Sequence, residues 1–429
     1  MTESRWRQRA ALMRPAPIRL SAQRRLERAL TIAELRSLAS KRVPRAVFDY
    51  VDGGADAEIT LRHNRHVLDQ VTFAPTVLAD VATPKMSVSA LGMTSELPFA
   101  LAPTGFSRLM HHAGEVAVAQ AAARAGIPYA LATMGTTSPE DLVSEVPSGR
   151  KWFQLYIWKD REATKQLVQR AAAAGYEALI VTVDSAVTGQ RLRDVRNGLA
   201  IPPGVTARTV LDAARHPNWW LAFLTKEPLR FASLGRWDAP LAELGNLLYD
   251  ATVTVEDIAW IRALWKGPLV IKGVSSARDA ARVAAVGPDA IVLSNHGGRQ
   301  LDQLPHPYDF IDDARAQLPA GVELWVDSGF STGADIISAY ARGADLVLVG
   351  RAYLYGLMAG GLIGVERAIA ILADEARRTL QLLGCASVRD VTAAHVRRGI
   401  PERPAIPEPL PSASAASPEA APLRRDHHE

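Results

Sequence analysis

From Leu97 onward, short apolar runs alternate with amphipathic segments, and this alternation constrains the fold more than any other feature of the chain. The runs cover residues 98–102, 129–133, 152–157, 178–183, 269–272, 290–293, 324–326 and 346–349. They are apolar at consecutive positions, which is the pattern of parallel strands buried on both faces. Between them lie segments of helical periodicity such as 114–125, 161–174, 277–286 and 333–341. Eight such units, in roughly 280 residues, have the number and length of a (β/α)8 TIM barrel, an α/β fold. A doubly wound sheet is the alternative, but the strand count and the lack of an early Gly-x-Gly-x-x-Gly turn disfavour it.

The period breaks once. The fourth run ends at 183 and the fifth begins at 269, about 85 residues later, so a long insertion follows strand four, at about 197–249. It carries Trp219, Trp220, Phe223, Leu224, Phe231 and Trp237 among Arg208, Arg215, Lys226, Arg230 and Arg236. A lid, a subunit contact and a membrane-surface patch all fit that composition. Residues 1–30 form a basic mobile arm, suited to solvent, to anionic lipid or to a partner subunit. An N-terminal helical extension follows. Thr31 and Glu34 make a capping box, and a short helix over 44–51 stops at Gly53-Gly54. The eighth unit ends in a helix over 365–383, closed by Gly384. The domain is therefore 31–400, and 401–429 is a Pro-rich disordered tail in which His427-His428 is not a metal site.

An apolar content of 48% against 22% charged residues allows a large core. One cysteine, Cys385, excludes a disulfide framework and a cysteine metal cluster, and suits a reducing cytoplasm. No apolar run of spanning length is expected, so the chain is not read as integral to a membrane. Net charge is +4 and is concentrated in the arm, so nucleic acid is not an expected partner. No metal site is expected.

In a barrel the carboxyl ends of the strands converge on one mouth. After the sixth run come Ser294-Asn295-His296-Gly297-Gly298-Arg299-Gln300-Leu301-Asp302. His296 can exchange a proton near neutral pH. Arg299 presents a planar fork that matches a carboxylate. A base beside a carboxylate anchor suits chemistry at the α-carbon of a small acid. The other strand ends are polar as well: Pro103-Thr104-Gly105, Thr133, Gln154 and Tyr156, Thr182 and Asp184 with Arg191 soon after, Lys272, Asp327-Ser328-Gly329, and Gly350-Arg351. Asp184 can orient His296. Lys272 follows a buried strand and needs an anionic partner. The seventh and eighth ends are where many barrels hold a phosphate. A phosphate site, a flat-ligand platform and a cation for developing charge imply a phosphorylated aromatic cofactor, and flavin mononucleotide (FMN) fits.

These residues resemble the FMN-dependent α-hydroxy-acid dehydrogenase and oxidase family over about residues 31–396. The active-site stretch 294–302 is the most specific element. Supporting it are Phe48-Asp49-Tyr50, Ala102-Pro103-Thr104-Gly105, 152–156, Thr182-Val183-Asp184, Lys272-Gly273 and Gly350-Arg351. Within the family the similarity is greatest to bacterial quinone-linked L-lactate dehydrogenases, with mandelate dehydrogenase next. The resemblance implies His296 as base, Asp184 as its partner, Arg191 and Arg299 as carboxylate clamps, and Tyr50 and Tyr156 at the substrate. It implies that Ala102, Pro103, Thr104, Gly105, Thr133, Gln154, Thr182, Lys272 and Ser294 hold the ring and ribityl chain. Asp327, Ser328, Gly329, Gly350 and Arg351 would hold ribityl and phosphate.

The implied reaction is oxidation of an L-2-hydroxy acid, with lactate foremost, and electrons pass to a quinone, or to oxygen in an oxidase. A homo-oligomer of four or more subunits and a cytoplasmic protein, peripheral on the inner face of the cell membrane, are expected. The short leader leaves no room for a fused haem domain. A flavin scaffold without turnover is the reading from another class, and the complete set of His296, Arg299, Asp184 and Lys272 speaks against it. Three positions depart from the family pattern: Ser331 stands where many members have a phosphate-binding arginine, Val51 where a second tyrosine is common, and Met134 near a bulky pocket tryptophan.

Overall fold

A computed structural model describes residues 21–198, 212, 214–229, 231–232 and 249–398. Most of the basic arm, the tail, and Arg208, Arg230, Arg236 and Trp237 of the insertion lie outside them. Eight strands form a closed barrel: β1 (Phe99–Thr104), β2 (Tyr129–Ala132), β3 (Lys151–Leu155), β4 (Ala178–Thr182), β5 (Leu269–Val274), β6 (Ala290–Leu293), β7 (Glu323–Val326) and β8 (Leu346–Val349). Each is parallel to the next, and β8 pairs with β1. Every strand falls within two residues of its expected run.

Alternate residues of each strand face opposite sides. Phe99, Leu101, Leu179 and Val181 join the layer under the helices. Ala100, Ala102, Ile180 and Val292 fill the interior with Trp152 and Trp325, whose rings stack 4.8 Å apart. The interior is thus a packed core, and the large cavity lies at the mouth.

β5 differs from expectation by running on to Val274. Its pairing with β6 shifts between Lys272 and Val274, where Gly273 takes φ +109°. A Cβ there would lie 2.6 Å from Cγ of Asp184, so only glycine lets that carboxylate sit against the strand.

At the N-terminal extension, Thr31 Oγ1 accepts from the Glu34 amide, but the Glu34 carboxylate turns to the amide of Leu30. Half of the expected capping box therefore forms one residue early. The short helix Arg45–Asp52 ends at Gly53 as expected.

The last helix begins earlier than its sequence pattern, spanning Arg351–Leu383 across a kink at Gly360 and Gly361. By length and composition it is apolar enough to cross a membrane, against the expectation that no such run exists. Its apolar window is 67% buried, because it packs against helices Ile32–Ala39, Gly114–Arg124 and Gly333–Ala341.

Candidate active site

The strand ends open into a cavity of about 1140 Å³. From the expected substrate set Tyr50, Tyr156, Arg191, His296 and Arg299 line it. Ala102 to Gly105, Gln154, Thr182, Lys272, Asp327 to Gly329, Gly350 and Arg351 line it too. Asp184, Thr133 and Ser294 stand one layer back, each bonded to a lining residue: Asp184 to His296, Thr133 to Gln154, and Ser294 to Lys272.

His296 Nδ1 lies 2.9 Å from Asp184 Oδ1. Burial opposes the charge of Asp184, but His296, Lys272 and the Ser185 hydroxyl outweigh it and hold its pKa below the usual carboxylate range. The ionised carboxylate accepts, so Nδ1 carries the proton and Nε2 is left with a lone pair. His296 has φ +55°, a costly conformation for a side chain with a Cβ, and its amide donates to Ser294 Oγ at 3.0 Å.

The short helix Arg45–Asp52 aims its last carbonyls at two barrel arginines. Arg299 Nη1 donates to Tyr50 O (2.7 Å) and Gly53 O (3.1 Å). Arg351 donates to Val51 O (2.9 Å), Gly53 O (2.9 Å) and Gly297 O (2.8 Å). The carbonyls that any helix leaves unpaired at its end, with their partial negative charge, are satisfied by cations. Among the described residues neither guanidinium forms an ion pair with a carboxylate. Burial, then the charges of Arg191 and Arg351, lower the Arg299 pKa to about 10.

Arg191 pairs with Asp194 at 3.1 Å. Burial works against its charge, but Tyr50, Asp194 and Tyr249 raise its pKa overall. The Tyr50 ring centroid is 5.3 Å from the Arg299 guanidinium carbon and 5.8 Å from that of Arg191. Tyr156 meets Tyr249 edge-on at 5.0 Å, and burial holds both phenols protonated.

At the other side Lys272 Nζ lies 3.0 Å from Asp327 Oδ2 and 3.2 Å from Ser294 Oγ. Asp327, expected at the ribityl chain, is thus the anionic partner that the buried lysine requires. Burial disfavours the lysine charge, but Asp327 and Asp184 raise its pKa overall. Gln154 Nε2 donates to Thr182 Oγ1 at 3.0 Å while its Oε1 accepts from the Thr133 amide at 3.2 Å. Ser328 and Gly329 both have φ +85°. The guanidinium that reaches Ser331 Oγ, at 2.8 Å, is that of Arg65, which also grips Asp335 at 2.6 and 2.8 Å. Arg351, expected at the ribityl chain and phosphate, directs its side chain to the carbonyls above.

A flat, phosphorylated cofactor fits these residues. The cavity exceeds what a small acid needs, Lys272 stays cationic in its wall, and the turn after β7 and the first turn of helix Arg351–Leu383 offer backbone N–H groups. Tyr249 and Arg65 were passed over by sequence reasoning, and Gly273 and Gln300 appeared only within motifs, with no role given to either. Tyr249 ends an insertion with no periodic pattern, and the other three acquire a role only through neighbours far away in the chain.

Fold and site together define a flavin-dependent oxidoreductase acting on hydroxy acids. The family model described as FMN-dependent dehydrogenase matches residues 39–398, and the chain belongs to that family. It is 52% identical over 376 residues to a Mycobacterium tuberculosis protein named "Putative L-lactate dehydrogenase", covering 88% of this chain and 91% of the other. It is 38% identical over 370 residues to (S)-mandelate dehydrogenase of Pseudomonas putida, covering 85% and 93%. The crystal structure of the monotopic membrane protein (S)-mandelate dehydrogenase superposes with a TM-score of 0.83 at 38% identity, covering 86% of this chain and 100% of that one. FMN is the cofactor of the family, and the chain is an FMN-dependent oxidoreductase.

Proposed function

We propose that the substrate is L-lactate, oxidised to pyruvate. The observation that carries this reading is one cavity in which His296, backed by Asp184, stands beside two arginines, one of them with no carboxylate partner among the described residues. Arg299 and Arg191 bind the substrate carboxylate from either side of the Tyr50 ring and fix the α-carbon. His296 Nε2 takes the proton that leaves the hydroxy acid, and Asp184 stabilises the imidazolium. Tyr156 keeps its phenolic proton and donates a hydrogen bond to the substrate oxygen. Bound FMN supplies the two-electron acceptor. Lys272 holds a positive charge at that side, where negative charge develops.

The reading is tested by adding L-lactate to the holoenzyme without oxygen. Bleaching of the flavin absorbance is expected, and unchanged absorbance removes lactate. A His296→Ala variant that reduces at the parent rate removes the base assignment. (S)-Mandelate is the second reading, favoured by the mandelate dehydrogenase likeness and by the apolar wall of Met110, Met134 and Phe231. Faster reduction by mandelate than by lactate would select it.

Two further parts concern partners. Electrons are proposed to pass to a membrane quinone, and steady hydrogen peroxide formation in air would show an oxidase instead. Peripheral contact with the inner face of the cell membrane is proposed through helix Pro217–Thr225, where no described residue is buried and Leu221 and Leu224 are 63% and 73% exposed. Its inner side is tied to the barrel, since Trp219 Nε1 donates to Leu109 O at 2.9 Å. A homo-oligomer of four or more subunits rests on the family resemblance, and light scattering of the holoenzyme tests it.

A further inference from the structure

Gln300 stands one residue beyond the carboxylate clamp and lines the cavity, yet its carboxamide bonds neither His296 nor Arg191. Its carboxamide instead addresses the loop that leaves β4. Nε2 lies 2.7 Å from Ser185 Oγ, 3.3 Å from Asp184 O and 3.2 Å from Val187 O. Oε1 accepts from the Gly189 amide at 2.9 Å. That amide can only donate, so the carboxamide orientation is settled by its partners.

A direction follows. The Gln300 amide donates to Ser185 Oγ, so the hydroxyl proton is free to be given away, and it goes to Asp184 Oδ1 at 3.1 Å. Asp184 Oδ1 in turn accepts from His296 Nδ1. One line of hydrogen bonds therefore runs from Gln300 through Ser185 and Asp184 to His296, and both its ends belong to the stretch after β6.

The same carboxamide fixes the far end of the loop. Gly189 lies so close to the Arg299–Gln300 backbone that a Cβ on it would be 2.3 Å from Arg299 O. Gln190 O accepts from the Asp56 amide at 2.9 Å, and Arg191 follows as the N-cap of helix Leu192–Asn197. The segment from Asp184 to Gly189 has no regular secondary structure, so these side-chain bonds take the place of a backbone ladder.

We infer that Gln300 is a positioning residue that sets both Asp184 behind the base and Arg191 at the carboxylate, through the loop it clamps. This rests on the roles proposed above for His296 and Arg191. Misplacing a reacting group by about 1 Å can cost on the order of 100-fold in rate. Gln300 thus controls both the limiting rate and anion affinity through the loop from Asp184 to Arg191.

The test uses holoenzyme in two assays. One is the limiting rate of anaerobic flavin reduction by whichever L-2-hydroxy acid reduces the parent. The other is the dissociation constant of oxalate, a planar anion, read from its perturbation of the flavin spectrum. Oxalate binding needs no turnover, so a wrong lactate assignment leaves it intact. Gln300→Leu is expected to lower the rate by roughly 10- to 100-fold and to weaken oxalate by about 10-fold. In a Ser185→Ala or Asp184→Asn background the further loss of rate is expected to shrink below about 3-fold, because the line is already cut, while the loss of oxalate affinity persists. Equal rate losses in all backgrounds, or unchanged oxalate binding, overturn the inference. Should Gln300→Leu not accumulate, Gln300→Glu keeps the volume and the acceptor for Gly189 but loses the donors, and the same outcomes decide.

Discussion

Replacing Gly273 by alanine tests the geometry of the base most directly. At φ +109° an added Cβ meets Asp184 at 2.6 Å (Cγ), 2.8 Å (Cβ) and 2.8 Å (Oδ2). Ordinary contact begins near 3.4 Å, so the closest atom must retreat by about 0.8 Å. That atom belongs to a buried carboxylate held by His296 and Ser185, not to a flexible chain end. Two costs follow. The backbone strain of a side chain at this φ is about 1–3 kcal/mol of stability. The displacement of Asp184 costs roughly 10- to 100-fold in the limiting rate of flavin reduction. Gly175→Ala separates them, because Gly175 has φ +82° with nothing within 4 Å and so incurs strain alone. Stopped-flow reduction by the hydroxy acid, with flavin content and thermal midpoint recorded for each variant, is the assay. Gly175→Ala should lose stability and keep the parent rate, whereas Gly273→Ala should lose both. If Gly273→Ala reduces within threefold of the parent, Asp184 does not depend on the gap that glycine leaves, and the account of the base is wrong.

Arg299 must be protonated to hold a carboxylate, and its pKa is pushed down to about 10, so acid affinity should fall as pH rises through that value; titrating the dissociation constant of oxalate from pH 8 to about 10.5 checks it, and a flat profile contradicts it. Ser331→Arg adds a charge at the corner where Arg65 already serves Asp335, and should tighten FMN by about 10-fold without changing riboflavin, as measured by flavin fluorescence; equal effects on both would place the phosphate elsewhere. Leu221→Asp with Leu224→Asp should abolish co-sedimentation with anionic vesicles and spare reduction by the acid; undiminished sedimentation would remove helix Pro217–Thr225 from the membrane contact.

The strands were legible in the sequence because a strand buried on both faces must be apolar at successive positions, as 290–293 and 346–349 are. His296, Arg299, Lys272 and Asp184 were legible because a polar group directly after such a run has little choice but the mouth. The start of the last helix was not, since Gly360-Gly361 interrupts the pattern while packing carries the helix across the kink. The direction of Arg351 was not either. Its carbonyl partners lie about 300 residues away, at the end of a helix whose docking no local pattern encodes, and 54 residues away in the loop after β6. The partner of Lys272 was not legible for a similar reason: Asp327 follows β7 and Lys272 lies near the end of β5, two strands apart in the barrel, and only closure of the mouth brings them together.

Charge bookkeeping around the cavity leads to one more expectation. Lys272 is matched by Asp327 and Arg191 by Asp194, while Asp184 bonds the neutral His296 and shares the field of Lys272. Arg299 and Arg351 form no ion pair among the described residues; they donate to the carbonyls at the end of helix Arg45–Asp52 and, for Arg351, to Gly297 O, dipoles that reduce the cost of burying two cations without cancelling their charge. The missing negative charge must come from the ligands, so an anion should stabilise the fold beyond what its size and shape explain. A ligand at about 100 times its dissociation constant contributes about 2.7 kcal/mol to the native state. Oxalate and its neutral diamide oxamide are nearly the same shape, so the difference between their shifts of the holoenzyme thermal midpoint isolates the charge. Oxalate should raise the midpoint and oxamide should not, and the advantage of oxalate should largely vanish in Arg299→Met. Equal shifts from the two compounds would mean that shape, not surplus charge, defines the site, and the carboxylate clamp would have to be sought at Arg191 alone.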